Sequence, residues 1–383
     1  MSVAPYRGQM VRARARDACP GALQVHPAAD GALVRVRLPG GMISATQLRA
    51  LAQTSARFGS GTLELTARGS VQIRGITDAA PVAEAVAAAG LLPSATHERV
   101  RNIVASPLSG RVGARTDVRG WVTDLDTAIQ AEPDLALLPG RFWFSFDDGG
   151  GDVSGLSADL GVHVLDGEAA LLLAGHDTGI RIALADVVPA MVAVAARFVA
   201  VRANAWRVAE LTDITDLLPG AELSAAGFPP ITTPPVGWIE QDNGRIALGA
   251  AVPLGILRAH VAEYLAAIEA PLVVTPWRSV LVVDLDEAVA DAALRALTPL
   301  GLVFEETSPW LLVSACAGSP GCERSAADVR ADATAAVQSG DTGTNRRHFV
   351  GCERACGSPP TGEVLVATED GYRVLRPWRP NNL

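Results

Sequence analysis

The sequence predicts an α+β protein built from two related halves. Three observations carry that expectation: an internal repeat, the same order of apolar patterns in each copy, and a proline-rich stretch between the copies. TARGSVQIRG around Thr66 pairs with TPWRSVLVVD around Thr275 at an offset of 209 residues. RNIVASPLSG (101–110) falls on WLLVSACAGS (310–319) at the same offset. LPGGMI (38–43) pairs with VPLGIL (252–257) at an offset of 214, which predicts a longer loop around Gly59-Ser60-Gly61 in the first copy.

Each copy opens on a strand with period-two alternation, 32–38 and 245–252. A Pro/Gly turn follows, then an amphipathic helix, 45–57 and 254–268. Two β-rich segments come next, then a second helix, 80–89 and 288–297. This β-α-β order with a further β and α suits a small ferredoxin-like unit. A different segment follows each unit. After the first, 101–218 carries strand-like runs at 141–146 and 169–174 and a helix over 187–208. After the second, 310–376 carries most of the cysteines. Between the halves, 219–235 contains GFPPITTPP and reads as an ordered linker. The expected division is 1–92, 93–218, a linker over 219–244, 245–300 and 301–383. Two related halves imply pseudo-twofold symmetry, with a site in the cleft between them.

Composition narrows the chemistry. In 383 residues, 49% hydrophobic and 19% charged residues allow a sizeable core. A net charge of −9 argues against a general nucleic-acid binder or an acidic-membrane binder. The chain has no lysine, so all 32 basic residues are arginine. That excludes a Schiff-base lysine, a P-loop lysine and an ammonium acid. Anion recognition must use arginine, whose planar fork matches carboxylates and keeps its charge. No run of 18 uncharged apolar residues occurs; the best stretch, 187–201, carries Arg197 and reads as a buried or amphipathic helix. The first 20 residues are basic through Arg12, Arg14 and Arg16 and lack an apolar core, so no secretory signal is read there and a cytoplasmic protein is expected.

Five cysteines occur, and Cys316, Cys322, Cys352 and Cys356 cluster near the C-terminal end. An odd count and tight clustering argue for a metal site over a disulfide framework. Four thiolates suit zinc or an iron–sulfur cluster. The C-x5-C and C-x3-C pairs fit the usual zinc spacings poorly, and Gly318, Gly321, Gly351 and Gly357 allow close approach of backbone to a bulky cluster. Cys19 is remote and receives no role. FDDGGGD (146–152) follows a strand and reads as a hairpin turn.

These motifs carry a family resemblance. C-x5-C with C-x3-C on the second of two repeated halves resembles the sulfite/nitrite reductase superfamily. So do Leu65-Thr66-Ala67-Arg68 with Gln72-Ile73-Arg74-Gly75, the Arg101-Asn102-Ile103-Val104 segment, and Leu138-Pro139-Gly140-Arg141-Phe142. Within it, residues 65–75, 101–110, 275–278 and 328–333 are most similar to the precorrin-3B synthase family of aerobic cobalamin biosynthesis. The resemblance implies that each ferredoxin-like unit is followed by a reductase-type α/β domain. It implies a [4Fe–4S] cluster on Cys316, Cys322, Cys352 and Cys356, and a tetrapyrrole cleft. Arg68, Arg74, Arg101, Asn102 and Arg141 are the substrate-binding candidates, because a carboxylate-rich ring needs surrounding cations. The implied reaction is O2-dependent hydroxylation of precorrin-3A at C20 with γ-lactone formation, fed by an external electron donor. The resemblance also implies a mononuclear non-haem iron, for which His97, His163, His176, His260 and His348 are candidate ligands in principle. The family alternative is a sirohaem-dependent sulfite or nitrite reductase. Its lysine pair is here Arg141 and Trp143, and arginine is a poor proton donor. In the reductases the cysteine matching Cys356 also bridges to sirohaem iron; a metal-free substrate would leave Cys356 a cluster ligand only. The internal twofold makes a monomer compatible with this reading, and no nucleic-acid or membrane partner is expected.

Overall fold

The repeat folds as two copies of one α+β unit that exchange a strand. A computed structural model describes residues 17–376 except 114, 225–226 and 360; the basic segment with Arg12, Arg14 and Arg16 lies outside the described residues. The first copy runs β1 (His26–Ala28), β2 (Gly31–Val36), β3 (Met42–Ile43), α1 (Ala45–Phe58), β4 (Thr62–Leu65), β5 (Val71–Ile76) and α2 (Ala80–Ala88). Next come β6 (Ile103–Ala105), α3 (Arg119–Ala131), β7 (Phe144–Asp147), β8 (Leu160–Val164), β9 (Glu168–Leu173), β10 (His176–Ala183) and α4 (Val187–Val201). The second copy is β11 (Gly237–Glu240), β12 (Ile246–Ala251), β13 (Ile256–Arg258), α5 (Ala259–Ala267), β14 (Leu272–Val274), β15 (Ser279–Leu285) and α6 (Glu287–Leu297). The last segment holds β16 (Val313–Ala315), α7 (Val329–Gln338), β17 (Arg347–Val350), β18 (Glu363–Thr368) and β19 (Gly371–Arg376).

The chain divides into two compact units. One holds residues 17–21, 37–40 and 93–231; the other holds 22–36, 41–92 and 232–376. Both ferredoxin-like copies fall in the second unit.

In that unit one sheet has the order β1-β2-β5-β4-β13 and its twin β11-β12-β15-β14-β3. Each copy therefore donates a short strand to the other's sheet. Leu257 sits opposite Leu63, and Ile43 opposite Leu272. The turn before each donated strand is the same left-handed bend: Gly40 (φ 63°) and Gly41 (φ 71°) in one copy, Leu254 (φ 54°) and Gly255 (φ 72°) in the other. A Cβ on Gly41 would stand 2.0 Å from the Val274 carbonyl oxygen, so only glycine fits there. The later turns match too. Thr66 N donates to Ser70 O at 3.0 Å and Thr275 N to Ser279 O at 2.9 Å, with Gly69 (φ 62°) and Arg278 (φ 58°) at the equivalent left-handed position.

Two sequence expectations change here. The helix expected from 254 starts only at Ala259, because the left-handed Leu254-Gly255 turn blocks it and 256–258 pair as a strand. The five-residue difference between copies lies in helix length, 14 residues in α1 against nine in α5, and not in a loop. α1 begins on a capping box between Ser44 and Gln47, which satisfies free amides at its first turn.

The other unit centres on the sheet β10-β9-β8-β7-β6, in which β6, β7 and β8 are parallel and β9 and β10 antiparallel. α4 buries Val187, Met191, Val194, Ala195 and Phe198, and Phe198 packs on Phe142 at 4.8 Å between ring centroids. It stops at Val201, short of the expected 208, where Ala203 turns left-handed (φ 45°). With its preceding turn it is the one described helix long and apolar enough to cross a membrane, and it buries one stripe against the rest of its unit. The cysteine-bearing segment repeats this sheet in smaller form: β16, β17 and β18 parallel, β19 antiparallel.

Candidate functional site

The four clustered cysteines come from the two loops that leave the ends of parallel strands. Cys316 and Cys322 follow β16; Cys352 and Cys356 follow β17. Such strand ends are where open α/β sheets place ligands. Cys316, Cys322 and Cys352 are half-buried and Cys356 is exposed; all are free thiols. β16 and β17 are neighbouring parallel strands, so the two cysteine-bearing loops leave the sheet side by side. The four sulfurs are not drawn together as around a single ion. Among the described residues only Asp147, Asp148 and Asp152 bring three ligand atoms within 4.8 Å of one another. Tetrahedral zinc holds its sulfurs about 3.8 Å apart, as bonds of about 2.3 Å require. Four soft thiolates on two neighbouring loops suit an iron–sulfur cluster. Gly351 N donates to Cys316 Sγ at 3.4 Å, a contact that favours the thiolate.

The acidic loop is the counterpart of this site in the first unit. β6 and β16 align at an offset of 210, one residue from the sequence match, which sets Ser106 on Cys316. Ser106 N donates to Phe146 O at 3.0 Å, and Cys316 N to Phe349 O at 2.9 Å. Asp148 N donates to Ser106 Oγ at 3.1 Å, where Gly351 N meets Cys316 Sγ. The loop after β7 leads to the parallel strand β8, so it is a crossover and not the hairpin expected. Its lead carboxylate is fully occupied. Asp147 accepts from the amides of Gly149, Gly151, Val153 and Ser154 at 2.8–3.0 Å and faces His163 Nδ1 at 3.4 Å. Burial alone would raise its pKa, but the His163 hydrogen bond and these amides bring it down to about 2. Asp152, hydrogen-bonded to Ser106 Oγ at 2.6 Å, is pushed up to about 7 by burial and then by the Asp147 charge.

A pH dependence follows from the opposite signs. Asp152 holds its proton in the folded state above its unfolded value of 3.8, so its stabilisation is full below that value and declines as pH rises toward 7. Asp147 works the other way, and its contribution is lost as pH falls from 3.8 toward 2. Asp152→Asn is expected to flatten the stability profile between pH 4 and 7, where one extra bound proton gives a slope of up to about 1.4 kcal/mol per pH unit. Denaturant titrations of both proteins at several pH values measure it; parallel profiles would contradict this account.

The arginines divide by their partners. Arg101 is buried and grips Asp126 on α3 through two bonds, 2.6 and 2.7 Å. Asn102 Nδ2 donates to the carbonyls of Arg99, Gly140 and Phe142, each at 3.0 Å, and so anchors the 138–142 segment. Arg141 is 57% exposed, 4.0 Å from Asp17 and over the Trp206 ring at 5.1 Å; Trp143 is buried. Arg68 is half-buried in the turn after β4. Arg74 is buried and binds Asp30 at 3.0 and 2.9 Å. Arg68 and Arg74 lie in one unit; Arg101, Asn102 and Arg141 lie in the other. The histidines are scattered. His97 contacts Ser94, Thr96 and Glu132 O; His348 is fully buried between Ser314 Oγ and Cys356 O; His163 stacks on Phe228; His176 meets Ser224 O; His260 is exposed on α5.

Known proteins match this architecture. The family model of the nitrite/sulfite reductase ferredoxin-like half domain matches residues 26–89. A precorrin-3B synthase of Sinorhizobium sp is 26% identical, covering 96% of this chain and 84% of its own. The ferredoxin–nitrite reductase of Synechococcus elongatus is 30% identical over a shorter stretch, 30% of this chain and 25% of the relative. The solved structure of the Mycobacterium tuberculosis NirA protein shares the fold with a TM-score of 0.74 at 21% identity, covering 90% of this chain and 74% of that one. The half-domain match at 26–89 falls on the first of the two reciprocal ferredoxin-like copies, the chain is similar to a precorrin-3B synthase along most of its length, and its fold is that of the NirA protein.

Proposed function

We propose that the protein is a precorrin-3B synthase, an oxygenase that hydroxylates precorrin-3A at C20 and allows γ-lactone closure. The observation that carries this reading is the similarity of 96% of a lysine-free chain to a precorrin-3B synthase, with four thiols on two neighbouring loops after the second copy. In the reaction one atom of O2 enters the substrate and the other leaves as water, with two electrons and two protons supplied from outside. A [4Fe–4S] cluster held by Cys316, Cys322, Cys352 and Cys356 would supply single-electron transfer from the donor. Arg141, 57% exposed and set over the Trp206 ring, is the candidate cation for substrate carboxylates. Asn102 fixes the segment that carries Arg141, and Arg101 ties its own segment to α3 through Asp126. Among the described residues no two histidines and a carboxylate come within single-ion distance, so the mononuclear iron that the resemblance implies has no ligand set here.

The second reading, a sirohaem-dependent reductase, is favoured by the local nitrite reductase matches. It is opposed by the absent lysines, since sulfite and nitrite reduction consume many protons. Incubation of the anaerobically isolated protein with precorrin-3A, O2 and a reductant tests the proposal. A product heavier by one oxygen and carrying a lactone is expected. Sulfite or nitrite consumption with no change in precorrin-3A would favour the second reading.

A further inference from the structure

The unit that carries the cysteines also carries three arginines that converge on their backbone. Arg330, on α7, donates through Nε to the carbonyl of Cys316 at 3.2 Å. Arg74, on β5, donates through Nη2 to the carbonyl of Gly321, beside Cys322, at 2.6 Å. Arg278, in the turn before β15, donates through Nη2 to the carbonyl of Gly357, beside Cys356, at 2.9 Å. The three come from three different parts of the fold.

Two acids hold the array together. Glu64 on β4 is buried and meets Arg330 at 2.7 Å and Arg74 at 3.8 Å. Asp30 clamps Arg74 from the other side. Burial works against the Arg74 charge, but the Asp30 hydrogen bond and the Glu64 charge outweigh it and hold the guanidinium above its ordinary value. Arg278 is placed at a cost. Its twin in the first copy is Gly69, and Arg278 keeps the same left-handed backbone (φ 58°), which disfavours a side chain. A residue held in that conformation, reaching a cysteine loop, is what a positioning role requires.

We infer that Arg74, Arg278 and Arg330 form a brace that positions the cysteine loops and sets the electrostatic environment of the cluster. The inference rests on the cluster proposed above. Three guanidiniums bonded to the backbone of the cysteine loops would stabilise the reduced, more negative state of a cluster held there, which raises its potential. They also fix three of the four ligand-bearing segments, as hydrogen bonds behind metal ligands do. In this reading Arg74 is a positioning residue rather than a substrate cation.

The test compares wild type with Arg74→Gln, Arg74→Lys and, at a less buried site, Arg330→Gln. Each reconstituted protein is titrated for its cluster potential and challenged with a chelator. The brace predicts iron loss about 10–100-fold faster in the glutamine variants, by the usual effect of removing such partners. It also predicts a potential shifted to more negative values in both glutamine variants, and a smaller shift in Arg74→Lys, which keeps the charge. Wild-type potentials and iron-loss rates in Arg74→Gln and Arg330→Gln would overturn the brace while leaving the cluster in place. If wild type takes up no cluster, the proposed function falls separately. Iodoacetamide labelling of the cluster-free cysteines then reads the brace directly: faster labelling at Cys316 and Cys322 in the variants supports it, and unchanged labelling overturns it.

Discussion

Cys322→Ala is expected to isolate without the broad visible absorption of an iron–sulfur cluster and without activity on precorrin-3A. Cys352→Ala is expected to do the same. The reason is local: under the proposed function each sulfur is one of four ligands from two short loops, and an alanine would offer iron nothing. Cys19→Ala is the matched control. Cys19 is buried near Arg37 in the other unit, so its loss leaves the spectrum unchanged. Cys356→Ser separates the two family chemistries. If Cys356 is a cluster ligand, this variant loses cluster occupancy and activity together. A Cys356→Ser protein with its full cluster and full activity would contradict that role. Anaerobic absorption spectra and iron analysis read all four variants.

Arg101→Ala is expected to destabilise its unit by about 3–5 kcal/mol, the usual effect of removing one partner of a buried ion pair. The residue is held by two short bonds to Asp126, whose side chain is 16% exposed. Its loss leaves a carboxylate in a low-dielectric site, where Gln130 Nε2 still donates to it at 3.2 Å. Arg101→Met with Asp126→Leu is expected to recover most of the loss, because neither charge is then stranded. Arg141→Ala is expected to leave stability within about 0.5 kcal/mol, as an exposed surface substitution does, and to raise KM for the substrate. Denaturant midpoints and KM values measure the contrast. An Arg101→Ala protein of nearly wild-type stability and raised KM would return Arg101 to the substrate site.

The repeat was legible in the sequence because matched turns demand matched residues: Thr66 and Thr275, Ser70 and Ser279, make the same backbone contacts. The strand exchange was not. β3 is two residues long and β13 three, too short to show a period, and each pairs with a strand far away in sequence. Non-glycine residues at left-handed positions hid part of the twin relation: Leu254 answers Gly40, Arg278 answers Gly69, and Asp284 answers Gly75. The cysteines were legible because thiol spacing is a local property. The roles of the arginines were not, since whether a guanidinium is open or committed depends on carboxylates brought by the fold. Asp126 lies 25 residues from Arg101, and Asp30 lies 44 from Arg74. The kinship of the acidic loop with the cysteine loops was equally hidden. It rests on Ser106 and Cys316 receiving equivalent amides, from Asp148 and Gly351, and neither pair matches in residue type.

The proposed function requires that four thiols hold an iron–sulfur cluster in a chain acting on a metal-free tetrapyrrole. The most direct measurement is a visible spectrum with metal analysis of the protein purified without oxygen. The account predicts a broad iron–sulfur absorption and iron at or slightly above four atoms per chain for a [4Fe–4S] protein, with no sharp tetrapyrrole bands. Zinc in place of iron would contradict the cluster. Sharp sirohaem-type bands would contradict the corrin reading and assign the chain to the reductases.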